Sequence, residues 1–597
     1  MPEFHNPYHF VSACSEPGPG ALTLQMDTQS GRQPKPWPDH LTHDRFVAKT
    51  LVNGNQEDVF SGRIVCQSII KDLLALGANQ IADDVNPRDV SLFKINGKYA
   101  LAGSSLRGML SSIAEAASNS TLRILGDHNL SLKPEGRPPT NPGGTLHEFF
   151  RKLDPELVPL QEGDGRKSLT IAEQLFGVVE ERPRNASNSK RPVLSLASRV
   201  RISNALAHGE PPTIASRQIT KILGSPKYRY PSFHFDLTQK SEFIPRDQLK
   251  LNQGHVPKGR KFYLHRKKLT DADWVTNNEN ARRNQKALVA PLSSGEFWFH
   301  VDFDNLSLLE LELVCYALRP TSSFMHQLGL GKPLGLGKLE INPMGLFLVN
   351  RATRYSSQGL LADRYSRVWR DACCLSSNWP ALYQAREAGA PVTEPAAPLP
   401  RALADAYRKR IEEKHMTLWP ILQSIELLGD PEKVSHPVHY PQLPNQDLEQ
   451  NLFKWFQYNE SQNGNGQFLR ALTKANTCDF KEIPTLDRNT KLEPPMPSCW
   501  VAGQPPARLL PLKELSPADY EGMADVPFLV AEKKRNGKIQ FEIEIAGKVF
   551  PGFLPPNDLN LLLQSHRDLN VGDFLPLSVV KFNAGYFQLR FMKPPTA

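Results

Sequence analysis

Two segments carry the residue types that handle a phosphate chain. The first is Leu101-Ala-Gly-Ser-Ser-Leu-Arg107-Gly-Met-Leu110. It reads as a short loop, capped by Ser104 or Ser105, that opens a helix with an arginine in its first turn. The second is Gly329-Leu-Gly331-Lys332-Pro-Leu-Gly335-Leu-Gly337-Lys338, a glycine-rich basic loop opening a strand over Leu339–Leu348. Each offers backbone N–H groups, positive charge and little side-chain bulk, which suits a polyanion lying against the main chain. The loop is neither GxGxxG nor GxxxxGK[ST], because Pro333 follows Lys332. Each segment has a plainer reading: a tight strand connection for the loop, and a solvated helix residue for Arg107.

Further residues fit nucleic acid. Leu194–Ala205 has strand composition and puts Arg199 and Arg201 on one face. Lys258–Lys268 is the densest basic run, interleaved with Phe262, Tyr263 and His265. Cations take phosphates and aromatics stack bases, although a solvated charged face has the same composition. No histidine pair has metal-ligand spacing. The seven cysteines (14, 66, 315, 373, 374, 478, 499) include no CxxC. No zinc site or disulfide framework is expected, and a reducing cytoplasm fits.

These residues need elements to position them. Val59–Ile70 reads as a strand, and Ser91–Leu101 as a hairpin turning at Asn96-Gly97. Ser104–Ser118 reads as a helix with Leu106, Met109, Leu110, Ile113 and Ala117 on one face. A short helix over Leu169–Gly177 stops at its glycine. A strand over Phe297–Phe303 and a helix over Ser307–Leu318 precede the glycine loop. The order predicts an α+β fold: one RRM or ferredoxin-like domain over 1–350 with large insertions. Residues 351–490 read as mainly helical, over Arg401–Leu428 and Gln446–Lys474. Residues 491–597 hold five short strands with tight turns, which suits a small OB-like β-barrel. Its basic and aromatic residues fit RNA contact or protein docking.

The chain has 597 residues, 40% hydrophobic and 22% charged, with net charge +9. That composition is globular, and the positive balance permits nucleic-acid binding. No run of roughly 18 apolar residues predicts a membrane span, and the N-terminus lacks the features of a secretory signal.

The chain resembles the RAMP superfamily of CRISPR-associated proteins. The matching pieces are Ser-Ser-Leu-Arg-Gly-Met-Leu (104–110) after a hairpin and Leu-Gly-Leu-Gly-Lys-Pro-Leu-Gly-Leu-Gly (328–337) before a strand. Leu175-Phe-Gly177 with Leu196-Ala-Ser-Arg-Val-Arg-Ile-Ser203 also matches, as does Asn6-Pro-Tyr-His-Phe10 with His43-Asp-Arg-Phe46. The pattern is similar to the backbone subunits of type III effector complexes and spans roughly residues 1–350. The resemblance implies an RRM-like fold, guide RNA (crRNA) held along its backbone, and assembly with other CRISPR effector subunits. On it, Ser104, Ser105, Arg107, Arg199, Arg201 and the loop Gly329, Gly331, Lys332, Gly335, Gly337 and Lys338 are the expected RNA contacts.

In active members an aspartate in the loop after the first strand cleaves single-stranded target RNA with a divalent metal such as Mg²⁺. That loop is Lys71–Asp89 here. The family pattern sets the acid beside a glycine turn, whereas this chain has Gly77-Ala-Asn-Gln-Ile-Ala-Asp83-Asp84. Asp83 and Asp84 are the expected catalytic candidates, against a plain role for these acids, and for Asp89, in turns. Two alternatives stand beside this reading: an endoribonuclease that processes guide precursors, and a non-catalytic scaffold subunit.

Overall fold

The computed structural model describes residues 3–27, 31–33, 41, 49–52, 55–80, 88–126, 130, 144–161, 166–181, 194–223, 230–237, 243–244, 249, 251, 254–276, 285–349, 357, 367–370, 400–441, 454–460, 466–469, 480–481, 517, 526–533, 539–545, 548–565, 571, 574–583 and 586–591. The chain divides into two compact units: residues 1–452 with 467–486, and residues 453–466 with 487–597. Asp83 and Asp84 lie outside the described residues.

The first unit is built on an antiparallel sheet. Its elements in chain order are β1 (Tyr8–Val11), β2 (Asn55–Ile70), β3 (Lys98–Leu101), α1 (Gly103–Ala117) and α2 (Ile171–Phe176). There follow β4 (Val200–Ile202), β5 (Ala205–Ala207), β6 (Arg260–Tyr263), β7 (Glu296–Ser307), α3 (Leu308–Leu318) and β8 (Lys338–Leu348). Two further helices are α4 (Pro400–Lys414) and α5 (Trp419–Leu428). Across the sheet, β8 pairs with β2, β2 with β7, and β7 with β4 and β5, all antiparallel. Two β-α units thus share one sheet in the order fourth, first, third, second. β1 and β6 pair separately as a ribbon.

Local chemistry explains the elements. Asn96 and Gly97 both have positive φ, 50° and 79°, as a two-residue hairpin turn of the primed type requires. β7 alternates, with Phe297, Phe299, Val301 and Phe303 inside. α1 buries Leu106, Leu110, Ile113, Ala114 and Ala117 at helical spacing. Ser307 caps α3 in a capping box with Glu310. α3 is buried nearly all round, because the sheet covers one side and α4 the other. There Arg410 grips Glu312 through two hydrogen bonds of 2.8 and 2.9 Å. The Tyr407 hydroxyl donates to the Ala117 carbonyl at 3.1 Å.

The strand expected over Leu194–Ala205 is broken. Pairing holds only over Ser195–Leu196, Val200–Ile202 and Ala205–Ala207. At the break, the Ser203 hydroxyl accepts the His300 N–H at 2.9 Å, and the Asn204 side chain turns to α1.

The second unit contains a closed barrel. Its strands are β9 (Val526–Lys533), β10 (Ile539–Ile545), β11 (Lys548–Phe553), β12 (Phe574–Asn583) and β13 (Tyr586–Arg590), with α6 (Pro556–Ser565) between β11 and β12. They close in the order β9-β10-β11-β13-β12. Phe528, Phe541, Leu575, Leu577, Phe587 and Leu589 fill the interior. No described helix is long and apolar enough to cross a membrane.

Candidate nucleic-acid interface

α1 turns one face to a groove, with Ser104 and Ser112 exposed, Arg107 and Gly108 half-buried, and Ser111 and Glu115 buried. Ser104, Arg107, Gly108, Ser111, Ser112 and Glu115 recur on it at spacings of one turn. A Cβ placed on Gly108 would meet nothing within 4 Å. Two clefts open along this face, of about 410 and 250 Å³, and Ser111 and Ile124 line both. Ile124 stands 91% exposed at their junction. The clefts therefore adjoin as one groove.

Cations line it. In the larger cleft Arg107 donates through Nη2 to the Phe176 carbonyl. Arg123 donates to the Phe176 and Gly177 carbonyls at 3.3 Å and pairs with Glu115 at 2.8 Å. Two guanidiniums thus meet at the carbonyl end of α2, whose dipole favours positive charge. Burial, and then the neighbouring Arg123, push the Arg107 pKa below its ordinary value. An anion beside them would relieve both effects. Glu181 is an exposed acid on the rim. Glu173 is committed inside the protein to Arg166 at 2.7 Å.

The smaller cleft receives Arg260, Lys261 and Phe262 from β6 and Phe10 from β1. Lys261 lies 4.0 Å from the Tyr8 ring centre and 4.7 Å from that of Tyr263. Burial lowers its pKa to about 8 and that of Arg260 to about 10. Both cations are short of water, so a phosphate would be a strong partner for them. His234 lines this cleft too, and burial holds its pKa down at about 3.

Of the residues named from the sequence, Ser104 and Arg107 line the groove. Ser105 is exposed on the same turn. Neither serine caps α1: the cap residue is Ala102, and the Gly103 N–H is taken by Asn204 Oδ1 at 2.8 Å.

Arg199 requires a correction. It is 1% exposed and donates to Glu310, Gln174 and Asn305. It is an internal strut and does not reach the surface. Arg201 is exposed and pairs with Asp304. The two arginines do not share a face as expected, because only Arg201 belongs to a paired strand.

The glycine loop is also corrected. It packs inward against the chain that follows β2. Gly329, Gly331, Gly335 and Gly337 all have positive φ. A Cβ on Gly337 would sit 2.0 Å from the Leu328 carbonyl, and one on Gly329 2.3 Å from that of Ala75. The N–H groups of Leu330, Leu334, Gly335, Leu336 and Gly337 bond to carbonyls within the protein. They are unavailable to a phosphate, and the glycines serve a tight connection. Lys338 is 7% exposed and donates to the Arg266 carbonyl at 2.9 Å. Lys332 is held below its ordinary pKa by burial.

The loop leads into β8, level with the end of β2. The start of α1 lies over the other side of the sheet, against Ile202–Ser203. The two motifs do not form one site. Arg123, Ile124 and Phe10 are the groove residues least legible in the sequence; Arg260, Lys261 and Phe262 stood in the basic run.

Among the described residues no group of three His, Cys, Asp or Glu could hold a metal ion. Of the described acids of the loop, Asp72 lies 3.4 Å from the Lys338 ammonium, and Asp89 is exposed and pairs with Arg217.

The RAMP superfamily model matches residues 61–340. No curated protein sequence matches the chain. Among solved structures, the crystal structure of Thermofilum pendens Csc2 aligns over 60% of this chain and 80% of that one, at 10% identity and a TM-score of 0.23. The matched residues 61–340 include α1, the larger cleft and most of the sheet.

Proposed function

We propose that the chain is an RNA-binding subunit of a CRISPR ribonucleoprotein, similar to the backbone subunits of type III effectors, and that it holds guide RNA along the groove face of α1. The observation that carries this reading is the groove itself: small residues on the helix, flanked by Arg107, Arg123, Arg260 and Lys261. The superfamily match over residues 61–340 supports it, and the sheet order fourth-first-third-second supports a ferredoxin-like reading. The barrel's strand order, with a helix between its third and fourth strands, supports an OB-like reading. In this reading the protein holds RNA by backbone and shape, pairing supplies sequence specificity, other effector subunits assemble beside it, and the setting is a prokaryotic cytoplasm.

The test is to purify the protein from its native context and sequence the RNA that comes with it. Uniform RNAs with a repeat-derived end are expected, and Arg107→Glu with Lys261→Glu should lose them. RNA-free protein would sink the reading. Target cleavage is decided separately: Asp83→Ala with Asp84→Ala should abolish Mg²⁺-dependent cutting of complementary RNA while guide binding persists. Against a precursor-processing enzyme stands His234, the histidine lining the groove, which at a pKa of about 3 is a poor general base.

A further inference from the structure

The barrel's outer surface is divided by charge. β11, β12 and β13 contain no Asp or Glu, whereas β9 and β10 present Glu532 and Glu542. On the acid-free side the register brings Phe553, Gln588 and Lys581 into one row across three strands. All three point outward, because Phe587 and Leu589 on either side of Gln588 are buried. Tyr586 and Arg590 flank Gln588 on the same face of β13. Phe553 is 57% and Tyr586 42% exposed. Among the described residues neither Lys581 nor Arg590 has an ion-pair partner.

We infer that this face is a second binding site for single-stranded RNA. Two exposed rings set beside two cations on a sheet form a stacking platform: a base lies on each ring and its phosphate reaches Lys581 or Arg590. The absence of acids favours a polyanion over an ordinary protein surface, which would carry both signs. The residues of this site all come from the second unit.

The test uses the full chain and a mixed-sequence single-stranded RNA containing 4-thiouridine, with a duplex of equal length as control. Cross-links should map to the peptides carrying Phe553 and Tyr586. In a chain whose groove is disabled by Arg107→Glu, Phe553→Ala and Tyr586→Ala should each weaken single-strand binding by about 5- to 150-fold. Duplex binding should change little, since paired bases offer no faces. Lys581→Gln with Arg590→Gln, which leaves the rings intact, should lower the slope of log affinity against log salt by about 1.4. These side chains are exposed, so the melting temperature should hold. Cross-links confined to the groove, with barrel variants binding like the parent, overturn the proposal and leave the groove reading standing. So does a protein partner that shields this face while the barrel variants still bind RNA normally. Cross-links confined to the barrel would instead sink the groove reading.

Discussion

Gly108→Glu separates the groove from the fold. Gly108 sits inside α1, where glycine is among the poorest helix formers, and a side chain there meets open space. Replacement by glutamate should therefore hold or raise stability, by about 0.5 kcal/mol on helix propensity alone. The same change puts a carboxylate where the RNA backbone is proposed to run. At a carboxylate–phosphate distance of about 7 Å, repulsion costs about 0.6 kcal/mol in bulk water and about 2.4 kcal/mol at an effective dielectric of 20. Affinity should fall by about 3- to 60-fold, with steric exclusion adding to this. Fluorescence anisotropy with single-stranded RNA reads the affinity, and urea denaturation reads the stability. Gly108→Gln supplies the bulk without the charge and should fall between parent and Glu. If Gly108→Glu folds normally and binds RNA within twofold of the parent, the RNA does not run along α1.

Three further outcomes are expected. Glu310→Ala strands the buried Arg199 charge and should cost about 3–5 kcal/mol; a stable variant that loses only RNA binding would return Arg199 to the interface. Gly337→Ala forces a Cβ into the Leu328 carbonyl at φ +96° and should cost more than the roughly 1 kcal/mol of left-handed backbone alone; unchanged denaturant midpoint with lost RNA binding would restore the loop as a phosphate cradle. Lys261, with a pKa of about 8, should give an RNA affinity that declines as pH rises from 7 to 9, because phosphate binds the protonated form. Folding stability from this residue runs the other way: the buried charge costs stability below pH 8, and that cost is relieved as pH rises towards the ordinary value of 10.5. Anisotropy at several pH values checks this, and Lys261→Arg should flatten the profile.

The sequence by itself determined the elements. Asn96-Gly97 dictates its hairpin, the Leu106–Ala117 spacing dictates α1, and Gly177 stops α2, because turns, caps and periodicity act within a few residues. The alternating strands around Asn583–Gly585 likewise announced the barrel. Only the tertiary structure decided which charges face a ligand. Arg199 and Arg201 are two residues apart and look alike in sequence. One is locked to Glu310, from a helix more than a hundred residues away, and the other meets solvent. The glycine loop carries the composition of a phosphate cradle, yet the N–H groups of Leu330, Leu334, Gly335, Leu336 and Gly337 are spent on the loop's own carbonyls and on those of Leu73 and Ala75 after β2. Lys261 joins Arg107 and Arg123 along the groove through packing between segments far apart in the chain. Burial and partner choice are properties of the assembled core, and no local pattern records them.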